Sequence, residues 1–285
     1  MELIFKKGRG WRAFAATAIG NRHATNDDSF IIGAKKSGVV AAVCDGVSEH
    51  FCALEASKAA ARYLERKKRR ILNETKKHGW KAGKVILEEA QRKVKRGETT
   101  ATIAVIDLEN MQLHTWNVGD SYGYLIREGS ERMLIEEHTG RLFDFTTFMR
   151  KDIDINLWHV RDALEKMRQN PSQSSHIICS SLRPVAKENV GLEIISYNGK
   201  TILPENESML QPITLEKNDV VLLTSDGLSD YLEEIIVNYN IDILREIRRE
   251  LIIEKNPDYI IDLMEVANEF KGDDVTFIAI IIDHL

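Results

Sequence analysis

The chain reads as an α+β protein, and three observations carry that reading. Short apolar runs rich in Val, Ile and Ala are bounded by Gly and Asp, as buried strands are. These runs come in clusters separated by helical patterns, not in strict βαβ alternation. Four aspartates also sit at the ends of such runs. Val39-Val40-Ala41-Ala42-Val43-Cys44 leads into Asp45, Thr115-Trp116-Asn117-Val118-Gly119 into Asp120, and Val220-Val221-Leu222-Leu223-Thr224-Ser225 into Asp226. The fourth is inverted, with Asp273-Asp274 opening the run Val275 to Ile282.

Taken in order, residues 11–18 and 28–33 read as strands joined by the polar stretch Asn21 to Asp27. Leu54, Ala60 and Leu64 share one side of a helix predicted over Ala53 to Leu72, and a second helix is predicted over Ala82 to Val94. Gly97 ends the helical region. Thr100 to Ile106 and Gln112 to Val118 alternate as paired strands around a Leu108-Glu109-Asn110 turn, and Tyr122 to Arg127 makes a third strand before Glu128-Gly129. From Thr139 to about Pro184 the pattern changes to isolated aromatics and a short helical spacing, which we read as an inserted flap. Strands resume at Gly191 to Tyr197 and Asp219 to Thr224. Two helices, Ile241 to Ile253 and Asp258 to Phe270, precede the last strand.

Composition narrows the class. The 285 residues, 43% apolar and 29% charged, suffice for one large domain or two small ones with a core of their own. A net charge of −5 argues against nucleic acid as an obligatory partner. The basic cluster Arg66-Lys67-Lys68-Arg69-Arg70 falls at the predicted end of the first helix, where cations complement the helix dipole. It reads as a solvated helix end, with a docking patch for an acidic partner as the alternative. Three cysteines, Cys44, Cys52 and Cys179, have no metal or redox spacing and imply free thiols in a reducing compartment. There is no bilayer-length apolar run and no signal-peptide pattern, so a cytoplasmic location and no membrane partner are expected.

Other motifs fall away. Gly33-Ala34-Lys35-Lys36-Ser37 lacks the glycine spacing of a phosphate loop. Asp152 to Asn156 starts like a calcium loop but has Leu157 and Ala163 at its turn and bidentate positions. His78, His114, His159, His176 and His284 have no ligand spacing and read as surface or structural residues, and no sequence-level histidine pairing makes Ser48 or Ser225 a nucleophile. A carboxylate at the rim of a dry core is costly unless it is paired or holds a metal. Three aspartates close strands and one opens a strand, so antiparallel pairing would gather them at one edge. Few basic residues stand beside them. The pattern points to a site centred on divalent cations.

In chain order the motifs are Asn26-Asp27-Asp28-Ser29, Cys44-Asp45-Gly46, Gly97-Glu98-Thr99-Thr100-Ala101, Asn117-Val118-Gly119-Asp120-Ser121, Ser225-Asp226-Gly227-Leu228 and Gly272-Asp273-Asp274-Val275-Thr276. Their order and spacing, from about Ala15 to Ile282, resemble the metal-dependent protein phosphatases of the type 2C class, the PPM family. The resemblance implies one domain over 1–285 with a divergent flap at about 139–184. Its fold would be a β-sandwich of two mainly antiparallel sheets flanked by helices (αββα layers), with the metal site at one end. It implies hydrolysis of phosphoserine or phosphothreonine in proteins by a water activated by two or three Mg²⁺ or Mn²⁺ ions. Hard cations of this kind prefer oxygen ligands.

Carried over by position, Asp45 bridges both metals and the Gly46 carbonyl binds one. Asp226 and Asp273 complete the other shell, so Asp45, Asp226 and Asp273 are the catalytic metal-activating set. Asp28 acts through water, with Asp27 as its alternative. Asp120 matches a third-ion ligand, or else caps its turn. Where the family has its phosphate-clamping Arg this chain has His23, with Arg22 just before it, so either is a candidate phosphate contact. Val47, Tyr122 and Asp274 also depart from the family pattern, and His50 or a metal-bound water is left to protonate the leaving group. The implied partner is a phosphorylated protein, a serine/threonine kinase or its target. Two other readings stand beside the phosphatase one: a metal-binding regulatory module with little catalysis, motivated by His23, Val47 and Tyr122, and a phosphomonoesterase for small molecules.

Overall fold

The computed structural model describes residues 1–47, 51–134, 182, 196–198, 200–201, 210–239 and 242–283. Most of the flap read at 139–184 lies outside these residues, as do residues 191–195 of the strand read there, and His50, Cys179, His159, His176 and His284.

The strands are β1 (Glu2–Gly8), β2 (Trp11–Ala18), β3 (Ser29–Lys35), β4 (Gly38–Cys44), β5 (Ala101–Asp107), β6 (Gln112–Val118), β7 (Tyr122–Arg127), β8 (Ser130–Met133), β9 (Ser196–Tyr197), β10 (Lys200–Thr201), β11 (Ile213–Thr214), β12 (Val220–Thr224) and β13 (Val275–Ile282). The helices are α1 (Ala53–His78), α2 (Lys81–Gln91), α3 (Asp226–Tyr239), α4 (Ile243–Arg249), which runs into a π-turn over Glu250–Glu254, and α5 (Asp258–Lys271). One sheet has six strands in the order β1-β2-β13-β12-β7-β8. The other has seven, in the order β10-β9-β6-β5-β4-β3 with β11 also on β6. Every pairing is antiparallel.

Three apolar layers explain why the strands read as unbroken apolar runs. Val39, Ala41 and Val43 of β4 face Val221, Leu223, Ile278 and Ile280 between the sheets. The alternate residues Val40, Ala42 and Cys44 face outward onto Ala60, Leu64 and Leu87 of α1 and α2. On the other sheet Leu222, Phe277, Ala279 and Ile281 pack against Leu228, Leu232, Leu244 and Met264 of α3, α4 and α5. A strand buried on both faces has no polar side to display. The fold is therefore α+β with αββα layers, as expected. Among the described residues no helix is long and apolar enough to cross a membrane.

Some expectations need correction. Helix α1 continues beyond Leu72 to His78, so the Arg66–Arg70 cluster lies mid-helix and complements no dipole. Lys76, Lys77 and His78 occupy the last turn. Strand β1 and helix α3 were not foreseen. Seven of β1's residues pair with β2, but most are exposed, so no buried face marks them in the sequence. Asp226 reads in the sequence as the end of a strand with no helix before Ile241, yet it opens α3 directly. Glycine suits this first turn because a Cβ at Gly227 would stand 2.1 Å from the Asp274 carbonyl oxygen.

Candidate metal centre

Antiparallel pairing brings the aspartate motifs to one end of the sandwich. Thr224, before Asp226, pairs with Phe277, and Val275, after Asp274, pairs with Ala18 at the start of the loop to Asp28. In the facing sheet Ser29, after Asp28, pairs with Cys44, before Asp45. Each candidate ligand is thus one or two residues from a register position that the sheets fix.

Backbone and hydroxyl contacts lock the surrounding loops. Asp45 N–H donates to Thr100 Oγ1 at 3.0 Å, and its carbonyl accepts from Thr100 N at 2.8 Å and Thr99 Oγ1 at 2.7 Å. Gly46 forms a β-bridge to Thr99. Thr100 Oγ1 also meets Ser121 Oγ at 2.7 Å, tying the Gly119-Asp120-Ser121 turn to the same point. Gly119 holds φ at 104°, a left-handed backbone that favours glycine. Thr276 N donates to Ser225 Oγ at 2.9 Å, so the Ser225 hydroxyl is structural. The threonines and serines of the motifs are the scaffold of the site.

The acidic groups are gathered but not neutralised by protein. Asp28 is 6% exposed, and neither of its carboxylate oxygens has a hydrogen-bond partner. The Thr276 and Ser225 hydroxyls stand near it, while also meeting Thr17 Oγ1 at 2.6 Å and Thr276 N at 2.9 Å respectively. Burial, with Asp274 and Asp273 adding to it, pushes the Asp28 carboxyl up to about 7, although the Thr276 and Ser225 hydroxyls draw it down. Asp45 is raised well above the usual carboxylate range by burial and then by Asp226, Asp28, Asp120 and Asp273. Asp226 is raised likewise by burial and then by Asp120, Asp273 and Asp230, with the Asp45 carboxyl pulling the other way as the smallest of these influences. Among the described residues no Lys, Arg or His forms an ion pair with Asp28, Asp45 or Asp226.

This donor set fits a hard divalent cation. It offers oxygen only, it includes a buried carboxylate with both oxygens unsatisfied, and its like charges are costly together. Among the described residues no three acidic, histidine or cysteine side chains already converge as a cation site. The aspartates stand in electrostatic range of one another, as repelling carboxylates do, without a closed coordination shell.

The two candidate phosphate contacts lie beside this cluster. His23 Nε2 is 3.5 Å from Asp273 Oδ1 and Nδ1 is 3.1 Å from Asp274 Oδ2, the latter off-line for a hydrogen bond. Burial draws the imidazole down, but the carboxylates of Asp274, Asp273 and Asp27 outweigh it, and the His23 pKa is raised above its ordinary value. The Arg22 side chain lies over Gly272, where a Cβ would come within 2.9 Å of it, and Arg22 N–H donates to the Gly272 carbonyl at 3.0 Å.

Two residues that sequence reasoning left out of the site belong beside it. Asp274 accepts from Gly20 N at 2.7 Å and from Asp27 N at 2.6 Å, pinning the loop that carries Asp28. Asp230, one helical turn after Asp226, is paired with Lys271 at 2.8 Å. Reading α3 as a helix would have found Asp230 through its i,i+4 spacing.

The protein phosphatase 2C family model matches residues 1–143. Among solved structures, a bacterial serine phosphatase is 19% identical with a TM-score of 0.66, covering 96% of this chain and 98% of its own. The serine/threonine phosphatase Stp1 from Staphylococcus aureus is 20% identical with a TM-score of 0.61, covering 95% of each chain. RsbX in complex with magnesium is 16% identical with a TM-score of 0.59, covering 99% of this chain and 100% of its own. No curated protein matches the chain. At these identities the structures speak for the fold, and the family model, reaching across half the sequence, shows that the chain belongs to the protein phosphatase 2C family.

Proposed function

We propose that this chain hydrolyses phosphoserine and phosphothreonine in proteins, using Mg²⁺ or Mn²⁺ held by Asp45, the Gly46 carbonyl, Asp226 and Asp273, with Asp28 acting through water and Asp120 serving a third, weaker ion. The observation that carries the reading is the buried, hydrogen-bond-deficient Asp28 carboxylate beside the mutually repelling Asp45 and Asp226, in a member of this family. Bound there, the divalent ions supply activation of the attacking water and neutralisation of the phosphoryl oxygens. The protein's own part is positional. Thr99 and Thr100 fix the Asp45 backbone, α3 presents Asp226 from its first turn, and Asp274 holds the Asp28 loop in place. Arg22 and His23 would orient the substrate phosphate from the rim, Arg22 by leaving its position over Gly272.

The test is hydrolysis of a phosphothreonine peptide by the purified protein in EDTA, Mg²⁺ or Mn²⁺, beside Asp45→Asn. Turnover that needs metal and disappears in the variant supports the proposal. Equal turnover in EDTA would overturn it. A second reading, a metal-binding regulatory module, draws on His23 facing carboxylates in place of a clamping arginine. Measurable Mn²⁺ binding with no turnover on phosphopeptides, nucleotides or sugar phosphates would select it. Preference for the small phosphates would select a phosphomonoesterase.

A further inference from the structure

The solvent face of α1 carries Lys58, Arg62, Arg66 and Arg69, all exposed, at spacings of four, four and three residues. At about 100° per residue these four fall within roughly 80° of arc, opposite the buried Ala60, Leu64 and Ile71. Of the other cations on this helix, Lys68 pairs with Glu65, Arg70 with Glu89, and Lys76 with Asp107 and Glu109, while Lys67 and Lys77 form no ion pair among the described residues. Among the described residues Lys58, Arg62, Arg66 and Arg69 form no ion pair. Glu55, one turn earlier on this face, pairs with none of them. Like charges at i,i+3 and i,i+4 destabilise a helix, and a merely solvated face is usually laced with pairs of opposite sign. Among the described residues no ion pair offsets this repulsion, although the chain as a whole is acidic at −5.

The stripe also leads to the candidate metal centre. Ser57, beside Lys58, contacts Ser29 Oγ at 3.0 Å, and Ser29 follows Asp28. Gly46 packs against Ala53 in the first turn of the same helix. From Lys58 the stripe runs about 16 Å away from the site, the span of about five extended residues. We propose that this face docks an acidic segment of the phosphorylated protein, set a few residues from the phosphoserine or phosphothreonine. The proposal rests on the phosphatase reading and names its substrate class. An acidic peptide fits a stripe one helix wide. A bilayer does not: no large apolar side chain of α1 is exposed to enter one.

The experiment compares wild type with Arg62→Ala/Arg66→Ala/Arg69→Ala, checked for helix content by circular dichroism. A labelled hexaglutamate peptide should bind wild type at low salt and weaken about tenfold or more in the variant. A phosphothreonine peptide bearing a hexaglutamate tail should show a lower KM than its tail-less form in wild type. That advantage should vanish in the variant, with kcat and p-nitrophenyl phosphate turnover unchanged. Equal peptide binding by both proteins would overturn the proposal. So would loss in the variant of binding to duplex RNA or phosphatidylserine vesicles when the peptide is bound by neither protein. No turnover of any substrate would overturn the phosphatase reading, while peptide binding would still decide the docking proposal.

Discussion

Asp274 holds Asp27 by its backbone: the Asp27 N–H donates to Asp274 Oδ2 at 2.6 Å, while Asp274 Oδ1 takes the Gly20 N–H at 2.7 Å. The residue just before the last strand thereby fixes both ends of the loop that delivers Asp28. Asparagine, usual at this position in the family, has one acceptor oxygen where aspartate has two. A buried charge-assisted hydrogen bond contributes about 1.5–3 kcal/mol. We expect Asp274→Ala to lower stability by roughly 3 kcal/mol and to abolish most turnover through a misplaced Asp28. Asp274→Asn should lose about half of that stability and keep most activity. Urea denaturation of both variants in EDTA measures this, and equal losses would remove the two-oxygen account.

The acidic cluster makes a sign-reversing prediction for Asp45→Asn. In EDTA the substitution removes one of several neighbouring carboxylates, so the variant should be more stable than wild type. With saturating Mn²⁺ the order should invert, because wild type gains RT ln(1 + [L]/Kd), about 2.7 kcal/mol at a hundredfold excess over Kd, and the variant gains little. Thermal denaturation across a Mn²⁺ titration checks both limbs. A wild type indifferent to the ion would count against metal binding at Asp45.

How much of this was readable beforehand depended on the range of the signal. Strands buried on both faces announce themselves as continuous apolar runs, so β4, β5, β12 and β13 were legible to within a residue at their ends. Strand β1 was not, because Leu3 and Phe5 remain about half exposed and Lys6, Lys7 and Gly8 break the alternation. Helix α3 was not legible at Asp226-Gly227 because local propensity disfavours glycine in a helix and cannot register that it is required by a carbonyl 47 residues away, at Asp274. The individual aspartates were visible, but the pinning of Gly20 and Asp27 by Asp274 spans 254 and 247 residues and has no local pattern. The Arg66–Arg70 cluster was placed at a helix end because Lys76, Lys77 and His78 were not counted into the helix.

Gly227 provides a steric test of how Asp226 is positioned. A methyl group there would stand 2.1 Å from the Asp274 carbonyl, and backbone cannot swing aside as a long side chain can. The first turn of α3 would have to lift, carrying Asp226 with it. Overpacking of this kind costs about 1–3 kcal/mol. Gly227→Ala should therefore lower stability within that range and weaken Mn²⁺ binding measured by calorimetry. Gly129→Ala serves as a control for glycine loss, since no atom lies within 4 Å of its Cβ position, although its φ of 72° adds strain of its own. Weakened Mn²⁺ binding in both variants would show that the effect is not local to α3.

His114 supplies the pH test, away from the acidic cluster. It lies on β6, 3% exposed, with its ring stacked on Trp116 at 5.9 Å between centroids. Burial pushes its imidazole down to about 4, against a smaller upward pull from Asp107. The unfolded chain binds this proton near 6.5 and the folded chain only near 4, so protonation favours unfolding. The full contribution is present above about 6.5, falls as pH drops through the window between 6.5 and 4, and levels off below. The gap of about 2.5 pH units corresponds to roughly 3 kcal/mol at most. The cluster's carboxylates also titrate, but they do so in a His114→Gln variant as well and cancel in the difference. Wild type minus variant stability, followed by urea denaturation from pH 7.5 to 4, should therefore fall by up to about 3 kcal/mol. A flat difference would mean that His114 charges as readily in the fold as out of it.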